Sequence, residues 1–187
     1  DFKSLIGQDV LVKTLTTAIN TSRIAHAYIF TGIRGTGKTS TARILAKALN
    51  CLSSDRATAT PCGECENCRA IAAGQHIDVM EIDAASHTGV DNMRDILDGA
   101  QYRPTNGRYR VYIIDEVHML STSAFNALLK TLEEPPAHVI FILATTEIRK
   151  VPVTILSRCQ RFDLVRVPVD TLKKHFAWIA DQEKIDL

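Results

Sequence analysis

Eight consecutive residues, Gly32-Ile33-Arg34-Gly35-Thr36-Gly37-Lys38-Thr39, carry the Gly-x-x-x-x-Gly-Lys-Thr spacing of a phosphate-cradling P-loop. Glycines at 32, 35 and 37 admit backbone angles closed to other residues and let the main chain approach an anion. N–H groups exposed at the start of a following helix, with the helix dipole behind them, favour phosphate. Lys38 would place a positive charge on the β and γ phosphates, and Thr39 would offer its hydroxyl to Mg2+. A glycine-rich turn ahead of a helix is the plain alternative. The complete pattern, with an apolar run before it and a helical pattern after it, favours nucleoside triphosphate binding.

Asp115 and Glu116 close the apolar run Val111-Tyr112-Ile113-Ile114. Carboxylates at the carboxyl end of a parallel strand sit where α/β proteins bind ligands. Asp115 suits the outer sphere of Mg2+ as a Walker B aspartate, and Glu116 is the candidate to orient and deprotonate an attacking water. Thr145 and Thr146 follow a second apolar run, Val139 to Ala144, where a hydroxyl could hold that water or sense the γ phosphate. Threonine is also a common strand residue, so its type alone does not choose between the two roles. Arg158, in Leu156-Ser157-Arg158-Cys159, could set a planar guanidinium against transition-state charge on a phosphoryl group. Arginines ahead of strands are usually just solvated, so the bare motif carries little weight.

Four of the five cysteines crowd together as Cys51-x10-Cys62-x2-Cys65-x2-Cys68, and Cys159 stands far away. Zinc bonds sulfur at about 2.3 Å in a tetrahedron, and Cys-x2-Cys spacing lets one tight turn present two thiolates. Pro61 and Gly63 would shape that turn. Cysteine also packs well as a small hydrophobe, but Asp55, Arg56, Glu64, Glu66 and Asn67 make this stretch too polar to bury four thiols as core. A structural Zn2+ site follows, with four ligands and no open position. His76, eight residues on, reads as an ordinary surface histidine rather than a ligand.

These groups need elements to hold them. Ala27 to Phe30 reads as the strand entering the P-loop, and Ala42, Leu45, Ala46 and Leu49 as the buried stripe of a helix leaving it and running to about residue 50. Upstream, Val10, Leu11, Leu15 and Ala18, broadened by Ile19, recur near a 3.6 period. Ile77 to Asp83 reads as a strand. Val90, Met93, Ile96 and Leu97 mark a helix with Asp91, Arg94, Asp95 and Asp98 on its other face. The run ending at Ile114 is apolar on both faces, as in a central parallel strand. Ser121 would cap a helix with the stripe Phe125, Leu128, Leu129 and Leu132, stopped by Pro135-Pro136. Phe162 to Val167 reads as a last strand. Asp170 then opens a helix with Leu172, Phe176, Ile179 and Ala180 on one face, and Trp178, off that face, suggests a contact beyond this domain.

At 187 residues, 45% hydrophobic and 23% charged, the chain suits one full α/β domain and a little more. A net charge of +1 gives no strong basic field, so any nucleic-acid contact would be local or shared with partners. No apolar stretch approaches the roughly 18 residues of a membrane span, and no signal peptide opens the chain. Clustered cysteines in a nucleotide-binding, hence cytoplasmic, protein read as metal ligands rather than disulfides. The first residue is Asp1, so the natural N-terminus is expected to lie elsewhere.

Taken together, the P-loop, the four cysteines, Asp115-Glu116-Val117-His118, Phe125 to Pro136 (read as Phe-Asn-Ala-Leu-Leu-Lys-Thr-Leu-Glu-Glu-Pro-Pro), Leu143-Ala144-Thr145-Thr146 and Ser157-Arg158-Cys159 resemble the bacterial DNA polymerase III gamma/tau subunits, AAA+ ATPases of the replicative clamp loader. The resemblance covers essentially the whole chain. The cysteine module separates it from eukaryotic clamp-loader subunits, and the intact Lys38 from the delta-prime subunit. It implies an AAA+ P-loop NTPase, with a parallel five-stranded sheet in the order 5-1-4-3-2 flanked by helices. A zinc-binding module (51–68) would be inserted in a nucleotide-binding domain over 1–168, and 169–187 would be the first helix of a lid domain. Gly32 to Thr39 would bind ATP, with Thr39 and Asp115 serving Mg2+ and Asp115 and Glu116 forming Walker B. Thr146, ahead of Thr145, would be the sensor on the fourth strand. Arg158 would act as an arginine finger on ATP held by a neighbouring subunit, Cys51, Cys62, Cys65 and Cys68 would bind Zn2+, and residues 1–10 would cover the adenine.

The implied partners are delta, delta-prime and further gamma/tau copies, the sliding clamp and primer-template DNA, with no membrane. Ser86, Thr88 and Arg94 are possible phosphate contacts by analogy, a solvated helix face being the other reading. The implied activity is ATP hydrolysis, with DNA-directed DNA polymerase applying only through membership of the polymerase III holoenzyme. The family's second sensor arginine and collar lie past this stretch, so the chain is expected to be a fragment holding most of an ATP site. Two other functions fit parts of the pattern. Asp115-Glu116-Val117-His118 resembles a DExH helicase box, but a second RecA-like domain and arginine-rich motifs are missing. A zinc-containing, ATP-dependent adaptor is the other.

Overall fold

The computed structural model describes residues 2–86 and 89–183, so the expectations placed on Asp1, on Thr88 and on residues 184–187 fall outside it. Five strands, β1 (Ala27–Thr31), β2 (Val79–Asp83), β3 (Arg110–Asp115), β4 (Val139–Thr145) and β5 (Gln160–Asp163), run parallel in one sheet. Their order is β2-β3-β4-β1-β5, the order implied by the resemblance. Successive strand side chains point to opposite faces, and here each face has its own core. Ile29, Tyr112, Ile114, Phe141 and Leu143 face one side, where α4 (Val90–Gly99) and α5 (Thr122–Glu133) cover them. Tyr28, Phe30, Val111, Ile113, Ile140 and Ile142 face the other, under α1 (Asp9–Asn20), α2 (Lys38–Asn50) and α3 (Glu66–Ala72). Coverage on both sides is why β1 and β4 are apolar without alternation.

The helices follow their stripes with some corrections. Ala42, Leu45, Ala46 and Leu49 are all buried in α2. In α5, Phe125, Leu128 and Leu132 are buried, Leu129 only partly, and the Ser121 hydroxyl accepts the Ala124 N–H at 3.1 Å as the cap. In α1 the buried line is Leu11, Leu15 and Ile19, and Val10 is 80% exposed. Spacing of four along a 3.6 period selects that line and turns Val10 away from it. Strand β2 starts at Val79 with Ile77 exposed, and β5 starts at Gln160 and ends at Asp163, short of Val167. Parallel pairing with β1, from Tyr28–Gln160 to Thr31–Asp163, sets those limits more than apolar content does. A short α6 (Val153–Leu156) precedes β5. The last helix, α7 (Val169–Glu183), buries only Ala180, while Phe176, Trp178 and Ile179 stay exposed.

His76 is buried, contrary to the surface position expected for it. Its Nδ1 accepts the Asp78 N–H at 3.0 Å, and the carboxylate of Asp78, 1% exposed, accepts backbone N–H groups of Thr105, Asn106 and Gly107 at 2.8, 2.6 and 2.7 Å. Asn50 holds the next two residues, its Oδ1 accepting the N–H groups of Arg108 and Tyr109 at 2.9 Å each. The segment leading into β3 is thus set by two buried side chains, which fixes where β3 starts and hence where Asp115 ends it. Burial pushes the Asp78 pKa up, but the three N–H bonds outweigh it, so its pKa lies below the ordinary aspartate value. A depressed folded value means stabilisation that is complete above the unfolded pKa near 3.9 (about) and lost as pH falls through the folded value. Asp78→Ala is expected to cost about 3 kcal/mol at neutral pH. Urea melts of both proteins between pH 7 and pH 3 should converge toward the acid end.

Candidate active site

The loop between β1 and α2 is shaped by its glycines. Gly32 has φ +149°, and a Cβ there would lie 2.6 Å from the Leu164 carbonyl oxygen and 2.9 Å from Thr36 Oγ1. Gly37, at φ +89°, ends the loop and sets the first turn of α2, whose N–H groups open toward the cleft. The Lys38 side chain runs back along the loop, its Nζ donating to the carbonyls of Gly32 and Ile33 at 2.8 and 2.9 Å. Burial lowers the Lys38 pKa, and the nearby carboxylates of Glu116 and Asp115 work against that shift.

Three strand ends complete the cleft. Thr39 Oγ1 donates to Asp115 Oδ2 at 2.7 Å, and Asp115 Oδ1 accepts the Glu116 N–H at 2.9 Å. Glu116 adopts left-handed backbone angles, φ 48° and ψ 44°. Its Oε2 accepts from the Thr146 hydroxyl at 3.0 Å and from the Thr146 N–H at 3.3 Å. Arg34, Lys38, Thr39, Asp115, Glu116 and Thr146 line a cleft of about 940 Å³. That volume lies in the upper range of small-molecule sites, and the lining offers a cation, a hydroxyl–carboxylate pair and a second carboxylate to a phosphate chain.

Of the residues singled out in the sequence, Gly35, Gly37, Lys38, Thr39, Asp115, Glu116 and Thr146 therefore meet in one place. Thr145 is buried and turns its hydroxyl to His118 Nδ1 at 2.8 Å. Arg158 is not among the residues of this cleft. It donates to the Thr154 carbonyl at 2.8 Å and to Glu133 Oε1, at the C-terminal end of α5, at 3.0 Å. Asp83 does line the cleft, in register with Asp115 on the neighbouring strand, and sequence reading missed it. The carboxyl-end rule applied to Asp115 points equally to Asp83. Ser86 bonds Asp83 Oδ2 at 3.2 Å, and Arg94, on the outer face of α4, lies 3.6 Å from Asp91.

The cysteines form a second centre. The sulfurs of Cys51, Cys62, Cys65 and Cys68 all lie within 4.8 Å of one another, with Cys51 Sγ and Cys62 Sγ 3.6 Å apart. A tetrahedron with metal–sulfur bonds of about 2.3 Å has edges of roughly 3.8 Å, so the set fits a four-thiolate metal ion. Backbone N–H groups already point at the sulfurs: Cys62 to Cys51 at 3.3 Å, Cys65 to Cys62 at 3.3 Å and Cys68 to Cys65 at 3.4 Å. Burial pushes the Cys51 thiol up, but bonds from Ser53 and Cys62 bring it down to about 6, whereas burial drives Cys68 up to about 12. Cysteine 65 also caps α3, a helix that the sequence pattern did not suggest.

A P-loop between the first strand and its helix, paired carboxylates ending β3 and a hydroxyl ending β4, in this strand order, define a P-loop NTPase fold of the AAA+ class. The solved structures agree on the fold. A DNA polymerase III gamma subunit-related protein of Thermotoga maritima superposes with a TM-score of 0.57 at 23% identity, covering 85% of this chain and 47% of that one. The RuvB Holliday junction branch migration motor of the same organism gives 0.64 at 20% identity, covering 97% and 53%. The chain belongs to the DNA polymerase III delta-subunit family, whose model matches residues 7–168. Among curated relatives it is 54% identical to the DNA polymerase III subunit tau/gamma of Haemophilus influenzae, over 98% of this chain and 26% of that protein. It is 53% identical to the subunit tau of Bacillus subtilis, over 100% and 33%. The chain thus spans between a quarter and a third of the length of these two relatives. No helix among the described residues is long and apolar enough to cross a membrane.

The loop geometry predicts unequal glycine substitutions. Gly32→Ala should destabilise the fold by about 2 kcal/mol or more, since backbone atoms block the new methyl. Gly35→Ala, with no atom within 4 Å of the new methyl, should cost about 1 kcal/mol from its positive φ alone. Thermal melts of the two variants measure the difference.

Proposed function

We propose that this chain is the nucleotide-binding part of a replicative clamp-loader ATPase. ATP binding and hydrolysis would drive opening of a ring-shaped sliding clamp and its loading onto primed DNA for DNA polymerase III. The observation that carries the reading is the 2.7 Å contact between Thr39 and Asp115, with Lys38 and Glu116 in the same cleft, in a chain of this family. The chain's own residues then have distinct tasks. Gly32 to Thr39 wraps the triphosphate, with Ile33, Arg34 and Thr36 contributing loop backbone, and Lys38 leaves its carbonyl partners for phosphate oxygens. Thr39 directly, and Asp115 through water, would hold Mg2+, which neutralises charge on the β and γ oxygens. Glu116 takes the proton of the attacking water, and Thr146 orients that carboxylate and senses the γ phosphate.

Arg158 acts in trans in this reading, because it does not line its own chain's cleft and pairs instead with Glu133 at the end of α5. Neighbouring subunits (delta, delta-prime and further gamma/tau copies), the sliding clamp and primer-template DNA are the partners, in the cytoplasm. The enzyme is an ATPase, and a DNA-directed DNA polymerase only as part of the holoenzyme. Residues 1–168 form the nucleotide-binding domain, with its first ten residues over the adenine, and 169–187 begin a helical lid. The metal of Cys51, Cys62, Cys65 and Cys68 is Zn2+ in a structural site, tying the end of α2 to α3.

The reading is tested by measuring ATP turnover while clamp, primed DNA and partner subunits are added stepwise. Turnover should rise only with all of them present and vanish in Lys38→Ala, and full turnover by the isolated chain would overturn it. Arg158→Ala should leave ATP binding intact and lower the complex's DNA-stimulated rate by about 10³-fold or more. The half-exposed Arg158–Glu133 pair is worth at most about 1 kcal/mol, so the variant's stability should barely change. Elemental analysis of the purified protein should give about one zinc per chain, and Cys65→Ser should lose it. Another metal, or none, would remove that assignment.

A further inference from the structure

We propose that His118 is a positioning residue of the hydrolytic site, fixing the Glu116 carboxylate through its Nδ1. The inference rests on the ATPase reading above and adds a residue which that reading does not use. His118 lies in the single helical turn Val117–Met119 after β3, and its side chain is 6% exposed. Nδ1 sits 2.8 Å from Thr145 Oγ1 and 3.3 Å from Glu116 Oε2, and Nε2 lies 3.7 Å from Glu147 Oε1. Thr145 Oγ1 in turn accepts the Glu147 N–H at 3.0 Å. The ring therefore fills the corner between the end of β3 and the end of β4.

Each ring nitrogen faces a carboxylate, Glu116 at Nδ1 and Glu147 at Nε2, and the closer one, at 3.3 against 3.7 Å, favours the proton on Nδ1. With Nδ1 unprotonated, a lone pair would face the Glu116 carboxylate at 3.3 Å, which is repulsive. With a proton on Nδ1, the ring donates into the space between Thr145 Oγ1 and Glu116 Oε2, and the contact becomes attractive. Glu116 Oε2 then accepts two hydrogen bonds, from the Thr146 N–H and O–H, while the His118 Nδ1 proton, hydrogen-bonded to Thr145 Oγ1, lies in charge contact with it at 3.3 Å. All three groups face one oxygen, so the carboxylate's torsion is set while Oε1 remains the oxygen to take a proton. Thr146 alone could swing with its loop. His118, buried on the strand side and bonded to Thr145 in β4, gives the carboxylate a fixed reference. A plain packing role would need only the ring's volume, whereas this role needs a donor at the Nδ1 position.

That difference sets the experiment, run on the assembled clamp-loader complex with clamp and primed DNA. In His118→Ala, kcat should fall about 10- to 100-fold, the range seen when a group orienting a reacting side chain is removed, with KM for ATP within twofold. His118→Asn brings an amide N–H to the place of Nδ1 and should recover kcat to within about fivefold of the original. His118→Gln carries its amide toward Nε2 instead and should stay impaired. If Ala fails to fold, the Asn and Gln pair decides. Equal activity of Asn and Gln, or a change confined to KM, overturns the role of His118. A silent unmodified complex, or turnover that survives Lys38→Ala, overturns the ATPase reading and this one with it.

Discussion

The hydrogen bond from Thr39 to Asp115 is the constraint on which the site depends. It joins the start of α2 to the end of β3 across 76 residues of sequence, at 2.7 Å. It forms only if β1 and β3 end at the same edge of the sheet. Those strands are not neighbours, because β4 lies between them and pairs with both. The register Thr31–Thr145 on one side of β4 and Ile114–Leu143 on the other brings both ends to the end of β4, just before Thr146. One strand thus aligns the glycine loop, the two carboxylates and the Thr146 hydroxyl.

The opposite edge of the sheet is held differently. Buried side chains take the backbone in hand there. Asn50 ends α2 and grips residues 108 and 109, Asn67 of α3 donates to the Asn50 carbonyl at 2.9 Å, and Asp78 grips 105–107. Cys51 follows Asn50 directly, and Cys68 follows Asn67. A metal on the four sulfurs would therefore brace the same junction that starts β3. An unpaired polar group in that junction costs more than each bond contributes net, and the set is nearly but not fully closed, since His76 Nε2 and Arg110 Nε are buried there without a hydrogen-bond partner.

Much of this was legible in the sequence, for stated reasons. Gly32 to Thr39 and Asp115-Glu116 are read from local spacing, because the loop's chemistry needs those types in consecutive places. Two-sided burial made β1, β3 and β4 visible as unbroken apolar runs. What stayed hidden depends on distant partners. His76 looked like a surface residue because its partner, the Asp78 N–H, is a backbone group that leaves no pattern. Val10 looked apolar and buried, yet the turn of α1 exposes it. The limits of β5 are set by pairing with β1, and α3 is specified by a cysteine cap rather than by a stripe. Asp83 reaches the cleft, and His118 reaches Glu116 and Thr145, only once β2 and β4 are placed beside β3.

Consecutive carboxylates on a strand point to opposite faces, so Asp115 and Glu116 should not be able to share a cleft. They do share it, Asp115 meeting Thr39 and Glu116 meeting Thr146. The left-handed backbone at Glu116, φ 48°, resolves the conflict by breaking the strand's alternation between the two residues. That conformation is uncommon for a side chain larger than glycine or asparagine and costs of order 1 kcal/mol or more. It persists because bonds at both ends over-determine it: Asp115 Oδ1 takes the Glu116 N–H, and the Met119 N–H bonds the Glu116 carbonyl at 2.8 Å. A glycine would relax the backbone but carry no base. The strain is the condition for having one carboxylate on Thr39 and a second on Thr146 one residue apart, and under the proposed ATPase reading it sits where hydrolysis would need both.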